Sequence, residues 1–579
     1  MPDPANATLA EAIAHLRGNF GWLLDEFVQG RLVVWTGAKI SEGKLPALDG
    51  LLKNLFDGIH SRIRYGNSDC VYLHWLEEKI PSEFWGPLDE SPSTWPKIAK
   101  IVNHFSLSYS TLLDDDINDG GKAVSLVWQI LRIHETYAPD VPDPNVEHRF
   151  LAMLMAERVV EQSVTTNWDD LVETAFEQTR GSRVDRHLSV IVDRHDLAVP
   201  TPTPSLFKIH GCARRVRNDF PGYSGCIVAT HKQFTKWITN REREIIRQRL
   251  NGIVSGHFII FVGSSAQDRN LQERFSEVIE LVDPPPVDPP KFVFSSPRLE
   301  EPHRQVFRAI YDDDFTLHKD HFEQSAVLGL YSKPLLGSLY VLTLIGKAEA
   351  IADVASEDLD RWETELRRGI RLFEQRLCDW FENIPVGSMD ERWQQLSRVL
   401  PSLLSRFRCL REYAELPGSE TEYFEFWNEH AGEILTGCHP LKTKLHRFLL
   451  TLSILLLGDE FGHWAVGTAQ SSETTAGQFH IQSGSRRLAI FCLDNDAESW
   501  ARVRKHGLID QAVQPDVAVI FPSGSEPLVK PRLGSPAAGS PLPNRSALPG
   551  PTLIWMDDEC QAAFDLNGLL SSLQVLLRA

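Results

Sequence analysis

Residues 31–41, Arg-Leu-Val-Val-Trp-Thr-Gly-Ala-Lys-Ile-Ser, decide the reading of this chain. Leu32 to Trp35 favour a strand, and the run stops at Gly37. Small residues follow, then Ser41, placed to cap the next helix. A strand that feeds a glycine turn and a helix start is how an α/β fold builds an anion cradle, with backbone N–H groups pointing into the site. Many α/β proteins carry a glycine after their first strand, so this turn alone does not define a nucleotide site.

Three later segments repeat the pattern. Val159 to Val164 lead into Thr-Thr-Asn-Trp-Asp-Asp-Leu-Val-Glu at 165–173, which places Asn167, Asp169 and Asp170 after a strand. Leu-Phe-Lys-Ile-His-Gly at 206–211 ends a third strand with His210 before a glycine. His-Phe-Ile-Ile-Phe-Val-Gly-Ser-Ser at 257–265 ends a fourth in a small-residue turn, with Asp268 just beyond. Ligands of open α/β sheets sit outside the carboxyl ends of the strands. Gly37 and Ser41, Asn167 and Asp169, His210, and Gly263 and Ser264 are therefore expected on one rim.

In this order the motifs resemble those of the sirtuin (SIR2) superfamily, over roughly residues 15–310. Gly37-Ala38-Lys39-Ile40-Ser41 stands where the family has Gly-Ala-Gly-Ile-Ser. Asn167-Trp168-Asp169 matches its Asn-x-Asp signature, His210-Gly211 its catalytic His-Gly pair, and Gly263-Ser264 its late Gly-Ser turn. The resemblance implies a Rossmann-like domain with NAD as substrate, and Asn167 and His210 as the catalytic pair. It also implies NAD contacts from the Gly37–Ser41 loop (Ala38, Lys39 and Ile40 included), from Asp169, and from Gly263, Ser264, Ser265 and Asp268.

Two departures shape the expectation. Lys39 replaces a glycine that lets the backbone approach the dinucleotide, so its Cβ and cationic stem are expected to crowd the cleft. The alternative is a Lys39–phosphate contact. The second departure is that the eight cysteines include no Cys-x-x-Cys pair, which excludes the four-thiolate zinc module of the protein-deacylating sirtuins. Only Cys212 and Cys226 lie in that neighbourhood. Between Ser41 and Val160 there is instead a segment of helical texture, including 48–59 and 95–105. That layout resembles the bacterial antiphage-defence branch, whose members hydrolyse NAD. It implies no zinc, a homo-oligomer, and a HerA-type ATPase or a short Argonaute as partner. A non-catalytic NAD- or ADP-ribose-binding sensor or scaffold subunit of a defence complex is the alternative, and an NAD-dependent deacylase stands behind both.

The residue types suit cleavage of the nicotinamide–ribose bond. That reaction passes through an oxocarbenium-like state and needs a placed water, a group acting on the ribose hydroxyls and a walled pocket. A neutral carboxamide such as Asn167 orients water without adding charge, and His210 exchanges protons near neutral pH. Taken singly, an Asn after a strand is a turn former and a His before Gly a loop residue. The four-part pattern favours the functional reading.

At 579 residues the chain has room for two to four domains. Its formal net charge of −19 argues against a broad nucleic-acid-binding surface. Arg241 to Arg249 alternate in sign and read as a solvated helix face. Scattered cysteines and the absence of a signal-peptide core lead us to expect a cytoplasmic protein. The most apolar run, Phe448 to Leu457, is too short to span a bilayer and reads as a buried helix.

The expected fold class is α/β, in three parts. A Rossmann-like domain spans 1–320, with a helical insert at about 42–158 and a last strand at Lys291 to Ser296, after the rigid Pro-rich loop 283–290. A helical domain spans 321–465, for assembly or regulation. One apolar stripe runs Leu359, Trp362, Leu366, Ile370, Phe373, Leu377, Trp380 and Phe381, with Ser356 as N-cap; a second runs from Trp393 to Leu410. A small α/β domain spans 466–579. Its expected strands are 488–493, 516–521 and 552–556, its helices 498–507 and 561–577, and its Pro/Gly/Ser-rich loop 523–551. Asp494, Asp496, Asp557 and Asp558 lie near its strand ends, but no Glu-x-Lys element completes a nuclease site, so they read as solvated loop carboxylates.

Overall fold

The computed structural model describes residues 3–64, 69–106, 108–180, 187–198, 204–264, 287–353, 360–408, 441–468, 479–492, 517–522, 552–563 and 565–578. The chain divides into two compact units, one of residues 1–7, 14–177 and 183–336 and the other of 8–13, 178–182 and 337–579.

The first unit is built on a parallel sheet of six strands. These are β1 (Leu32–Thr36), β4 (Gln162–Thr165), β5 (Ser189–Ile191), β6 (Ser205–Lys208), β7 (Phe258–Val262) and β8 (Phe292–Phe294). Their order is β5-β6-β4-β1-β7-β8, so the chain winds outward in both directions from β1. The central strand β1 is buried throughout, as a strand covered on both faces must be. Register aligns Thr36 with Thr165 on one side and Val262 on the other. The carboxyl ends of all six strands share one edge, and the winding reverses at β1, the position where such sheets bind ligands.

One face of this sheet packs Trp35, Phe207, Phe261 and Phe294 into an aromatic core with Phe307 and Phe322. Phe261 and Phe294 stack with ring centroids 4.8 Å apart. Residues between β1 and β4 form a module with its own core, centred on Leu52, Phe56, Leu76, Trp95 and Ile101. That core also takes in Ala213, Val216, Ile227 and Ala229 from the segment after β6. The module is not purely helical: β2 (Asp116–Asp119) and β3 (Lys122–Ser125) pair as an antiparallel hairpin. Its turn carries Gly120 and Gly121 at positive φ, the sequence chemistry of a tight hairpin. Helix Ile98–Phe105 starts later than expected, because Trp95 closes a short 3-10 turn.

In the second unit, helix Glu363–Glu382 buries Leu366, Ile370, Leu377 and Phe381 of the expected stripe and leaves Phe373 and Trp380 half-buried. Leu359 and its expected cap Ser356 lie outside the described residues. Helix Met389–Arg408 buries Trp393, Leu396 and Leu400. Helix Leu441–Glu460 encloses the apolar run 448–457, and its Ser453 hydroxyl donates to Leu366 O at 3.2 Å. A mixed sheet follows in the order β13-β12-β11-β10-β9. Its strands are β9 (Ala465–Thr468), β10 (Phe479–Ser483), β11 (Arg486–Cys492), β12 (Val517–Phe521) and β13 (Thr552–Trp555). The meander β9-β10-β11 is antiparallel, and β11, β12 and β13 run parallel. The terminal helix expected over 561–577 is two, Met556–Ala562 and Leu566–Arg578, with Asp557 and Asp558 inside the first. Asp494, Asp496, the expected helix 498–507 and the loop 523–551 lie outside the described residues.

Among the described residues one helix, Ser332–Asp353, is long and apolar enough to cross a membrane, and 83% of its apolar window is buried within the chain. Arg243 and Arg247 correct another expectation. They are buried rather than solvated, and Arg247 donates to Trp237 O at 2.8 Å and Asn240 O at 2.9 Å. Their guanidinium groups bond the carbonyls of Val192, Trp237 and Asn240.

Candidate active site

The glycine loop and the turn after β7 interlock at the point where the sheet reverses. Gly37 N–H donates to Val262 O and Lys39 N–H to Gly263 O, each at 3.1 Å. A Cβ on Gly37 would stand 2.7 Å from Ser264 Cα, closer than real Cβ atoms approach backbone. Gly263 has φ +62°, and a Cβ there would meet Ile40 N at 2.9 Å. Each glycine therefore makes room for the other loop. Two N–H groups of the loop are consequently committed within the protein rather than directed at a ligand. Ala38 and the Lys39 side chain stand exposed, while Ile40 is buried.

Ser41 does not cap a helix. The next helix, Leu48–His60, begins at Ala47 with no side-chain cap, and the Ser41 hydroxyl turns inward instead. It donates to Asp169 Oδ2 at 2.9 Å. Asn167 Nδ2 and His148 Nε2 each lie 3.2 Å from Ser41 Oγ. All four side chains are buried.

A hydroxyl has one proton and two lone pairs. The carboxylate takes the proton, so both nitrogens must donate. His148 is able to, because its Nδ1 accepts the Asn145 N–H at 3.1 Å and leaves the ring proton on Nε2. Burial holds the His148 imidazole neutral, lowering its pKa to about 4 against the pull of Asp169. The other Asn167 amide proton goes to Gly37 O at 3.3 Å. With both its protons committed, Asn167 keeps its carbonyl Oδ1 free of hydrogen bonds from the described residues.

The strand-end turn that carries Asn167 is clamped from below. Trp168 Nε1 donates to Val228 O at 3.2 Å, and Trp168 O accepts Ala213 N–H at 2.8 Å. Asp169 Oδ1 accepts Leu171 N–H at 3.1 Å, and Arg214 Nε holds Asp170 Oδ2 at 2.7 Å. Lys208, fully enclosed, donates to Asp169 O and reaches Glu173 Oε1 at 2.7 Å. Burial would lower its pKa, yet the Cys212 sulfur and the Glu173 and Asp169 carboxyl groups beside it raise it. Burial lifts the Glu173 carboxyl above its ordinary range, opposed by the Lys208 ammonium.

His210 follows β6 at the level at which Asn167 follows β4, because Lys208 pairs with Thr165 on the adjacent strand. Its ring stands edge-on to Phe234, centroids 5.2 Å apart, and is half-buried. Gly211 beyond it has φ +88°, and a Cβ there would lie 2.6 Å from Cys226 O. The His-Gly turn thus needs its glycine on both counts.

The structure brings Gly37, Ser41, Asn167 and Asp169 into one hydrogen-bonded group, with Gly263 and Ser264 packed against Gly37. Ser265 and Asp268 lie outside the described residues. Sequence reasoning missed Asn145 and His148, which come from the end of the inserted module. The Asn145 side chain donates to Ile40 O at 2.9 Å and Glu42 O at 3.0 Å, so this corner holds the glycine loop. The signal for it is an Asn three residues before a His at a helix start, a capping-box spacing. Cys212 and Cys226 pack together beside Val192. Among the described residues no group of three or more His, Cys, Asp or Glu is placed to hold a metal ion.

A family model described as a SIR2-like domain matches residues 161–312. The match contains Asn167, Asp169, His210 and the Gly263-Ser264 turn, whereas the Gly37–Ser41 loop and His148 precede it. No curated protein matches the chain.

Proposed function

The chain belongs to the SIR2 superfamily through the SIR2-like domain at 161–312, and from that premise we propose that it is an NAD+ hydrolase. The observation that carries the reading is the state of Asn167. Gly37 O and Ser41 Oγ take both amide protons, so the residue offers an acceptor, not a donor. An acceptor fixed beside the strand ends is what holds a water molecule with its oxygen lone pair aimed at an anomeric carbon.

In the proposed reaction the C1′–N bond to nicotinamide breaks and its electron pair leaves with the ring, which becomes neutral. The water oxygen forms the new bond to C1′. Its proton passes to His210, on the neighbouring strand end, and then to solvent. The products are ADP-ribose, nicotinamide and one proton. Asp169 acts through Ser41, fixing the hydroxyl that fixes Asn167.

The motif pattern and the missing Cys-x-x-Cys spacing support placing this activity in antiphage defence, as an effector that depletes NAD in infected cells. On the same grounds we place it in a homo-oligomer that works with a HerA-type ATPase or a short Argonaute. One observation favours a second reading, a nucleotide sensor without turnover: the exposed Lys39 side chain sits on a loop whose N–H groups at 37 and 39 are already committed.

The experiment is NAD consumption with nicotinamide and ADP-ribose release by the full chain, beside Asn167→Ala and His210→Ala. Turnover that both substitutions abolish supports the hydrolase. ADP-ribose binding without turnover supports the sensor, and release of acetyl-ADP-ribose from an acetylated peptide supports a deacylase.

A further inference from the structure

His148 lies outside every motif that identifies the site, yet it completes the hydrogen bonding of Ser41. It sits in the first turn of helix Val146–Ala156, wholly buried, 107 residues along the chain from the serine it touches. Its two ring nitrogens do separate jobs. Nδ1 accepts the Asn145 N–H and closes the helix start. Nε2 donates to Ser41 Oγ at 3.2 Å.

The second job has a consequence for Asn167. With His148 and Asn167 on its two lone pairs, the Ser41 hydroxyl has one direction left for its proton, toward Asp169. Without the His148 donor, a lone pair is left vacant and Asp169 alone directs the hydroxyl proton. That proton can then turn from Asp169 toward Asn167, with a flip of the carboxamide that also costs the Nδ2–Gly37 O bond and that the His148 donor makes costlier still. The flipped carboxamide would aim donors, not an acceptor, at the cleft.

We propose that His148 is a positioning residue for NAD cleavage, which through Ser41 adds to the hold of Gly37 O and Asp169 on the Asn167 carboxamide and keeps its oxygen toward the substrate. This rests on the hydrolase reading for its kinetic consequence, but the lock itself is testable without turnover.

Two conservative substitutions separate the two nitrogens. His148→Asn places an acceptor where Nδ1 was and keeps the helix start, but loses the donor to Ser41. His148→Gln places a donor where Nε2 was and loses the acceptor. The expected result is that His148→Asn lowers kcat about tenfold, as loss of one buried hydrogen bond would. KM and Tm stay near the parent's. His148→Gln recovers most of kcat despite a lower Tm, and Ser41→Ala combined with His148→Asn is no slower than Ser41→Ala alone.

The readout independent of catalysis is the Asn167 side-chain amide, followed by nitrogen-15 resonance and proton exchange in full-length protein labelled at asparagine. The lock predicts slow exchange in the parent and in His148→Gln, and fast exchange in His148→Asn. Unchanged exchange in His148→Asn overturns the proposal whether or not the chain hydrolyses NAD. Activity that tracks Tm rather than the Nε2 donor overturns it as well. An inactive parent with the predicted exchange pattern would keep the lock and count against the hydrolase reading instead.

Discussion

The backbone N–H of Lys39 donates to Gly263 O at 3.1 Å, while the Lys39 side chain stands exposed. The main chain of this residue is therefore part of the joint between the glycine loop and the turn after β7; its Cβ lies beside Gly263, and the cationic stem beyond stands outside. A glycine at 39 keeps the joint and removes only the stem. Lys39→Gly is expected to tighten NAD binding and raise turnover severalfold with little change in Tm. Equal Kd and kcat for the two proteins would show that the stem leaves the cleft clear.

Gly263 is the opposite case. A Cβ there meets Ile40 Cγ2 at 2.8 Å and Ile40 N at 2.9 Å, in a left-handed conformation that L residues rarely adopt. Gly263→Ala should cost about 1–3 kcal/mol through strain at the turn. It should weaken NAD binding by more than its effect on Tm suggests, because the displaced segment is the glycine loop. Calorimetric titration with NAD, set beside a denaturation curve, checks both parts.

Lys208 and Glu173 form an ion pair beneath the Asn167 turn, with the lysine side chain fully enclosed and the glutamate 16% exposed. Removing one member of a buried pair costs about 3–5 kcal/mol, because the survivor is left uncompensated. Lys208→Met should therefore destabilise the first unit strongly and also free the Asp169 carbonyl that Lys208 holds. Adding Glu173→Leu should restore part of the stability. Urea denaturation of Lys208→Met, Glu173→Leu and the double variant decides it: losses that simply add would mean that the pair carries no coupling energy.

Much of this site is legible in the sequence because its strands announce themselves. Leu32 to Thr36 and Phe258 to Val262 are apolar runs stopped by glycine, and both are central strands. The strand β5 is not legible, since Ser189–Ile191 is three residues long and has no room for a pattern. The hairpin β2-β3 has its signal in Asn118-Asp119-Gly120-Gly121, but the helical texture on either side of it masks the turn. Ser41 escapes sequence reading for a different reason. A serine after a glycine turn is a cap by local rules, but here a histidine and an aspartate from far along the chain compete for its hydroxyl, and burial decides in their favour. Arg243 and Arg247 stand in a charge-alternating run that reads as a solvated face, and only the carbonyls of Val192, Trp237 and Asn240 that they meet in the fold explain why they are buried.

Two buried histidines set the behaviour of the first unit in acid. Burial lowers the pKa of His148 and of His303 to about 4, against an ordinary value of 6.5. Between those values the unfolded chain binds protons that the folded chain refuses, so stability rises with pH through this window and is lost as pH falls toward 4. At neutral pH neither form carries the proton and the penalty vanishes. Each histidine is expected to contribute on the order of 2–3 kcal/mol to the loss at the acid end. Tm measured from pH 7 to pH 4 should fall along this limb. His148→Asn, which cannot titrate but keeps the helix start, should flatten it by about half without raising Tm at neutral pH. A limb of unchanged steepness in that variant would assign the acid sensitivity to groups other than His148. A flattened limb together with reduced kcat would tie the same imidazole to both the fold and the orientation of Asn167.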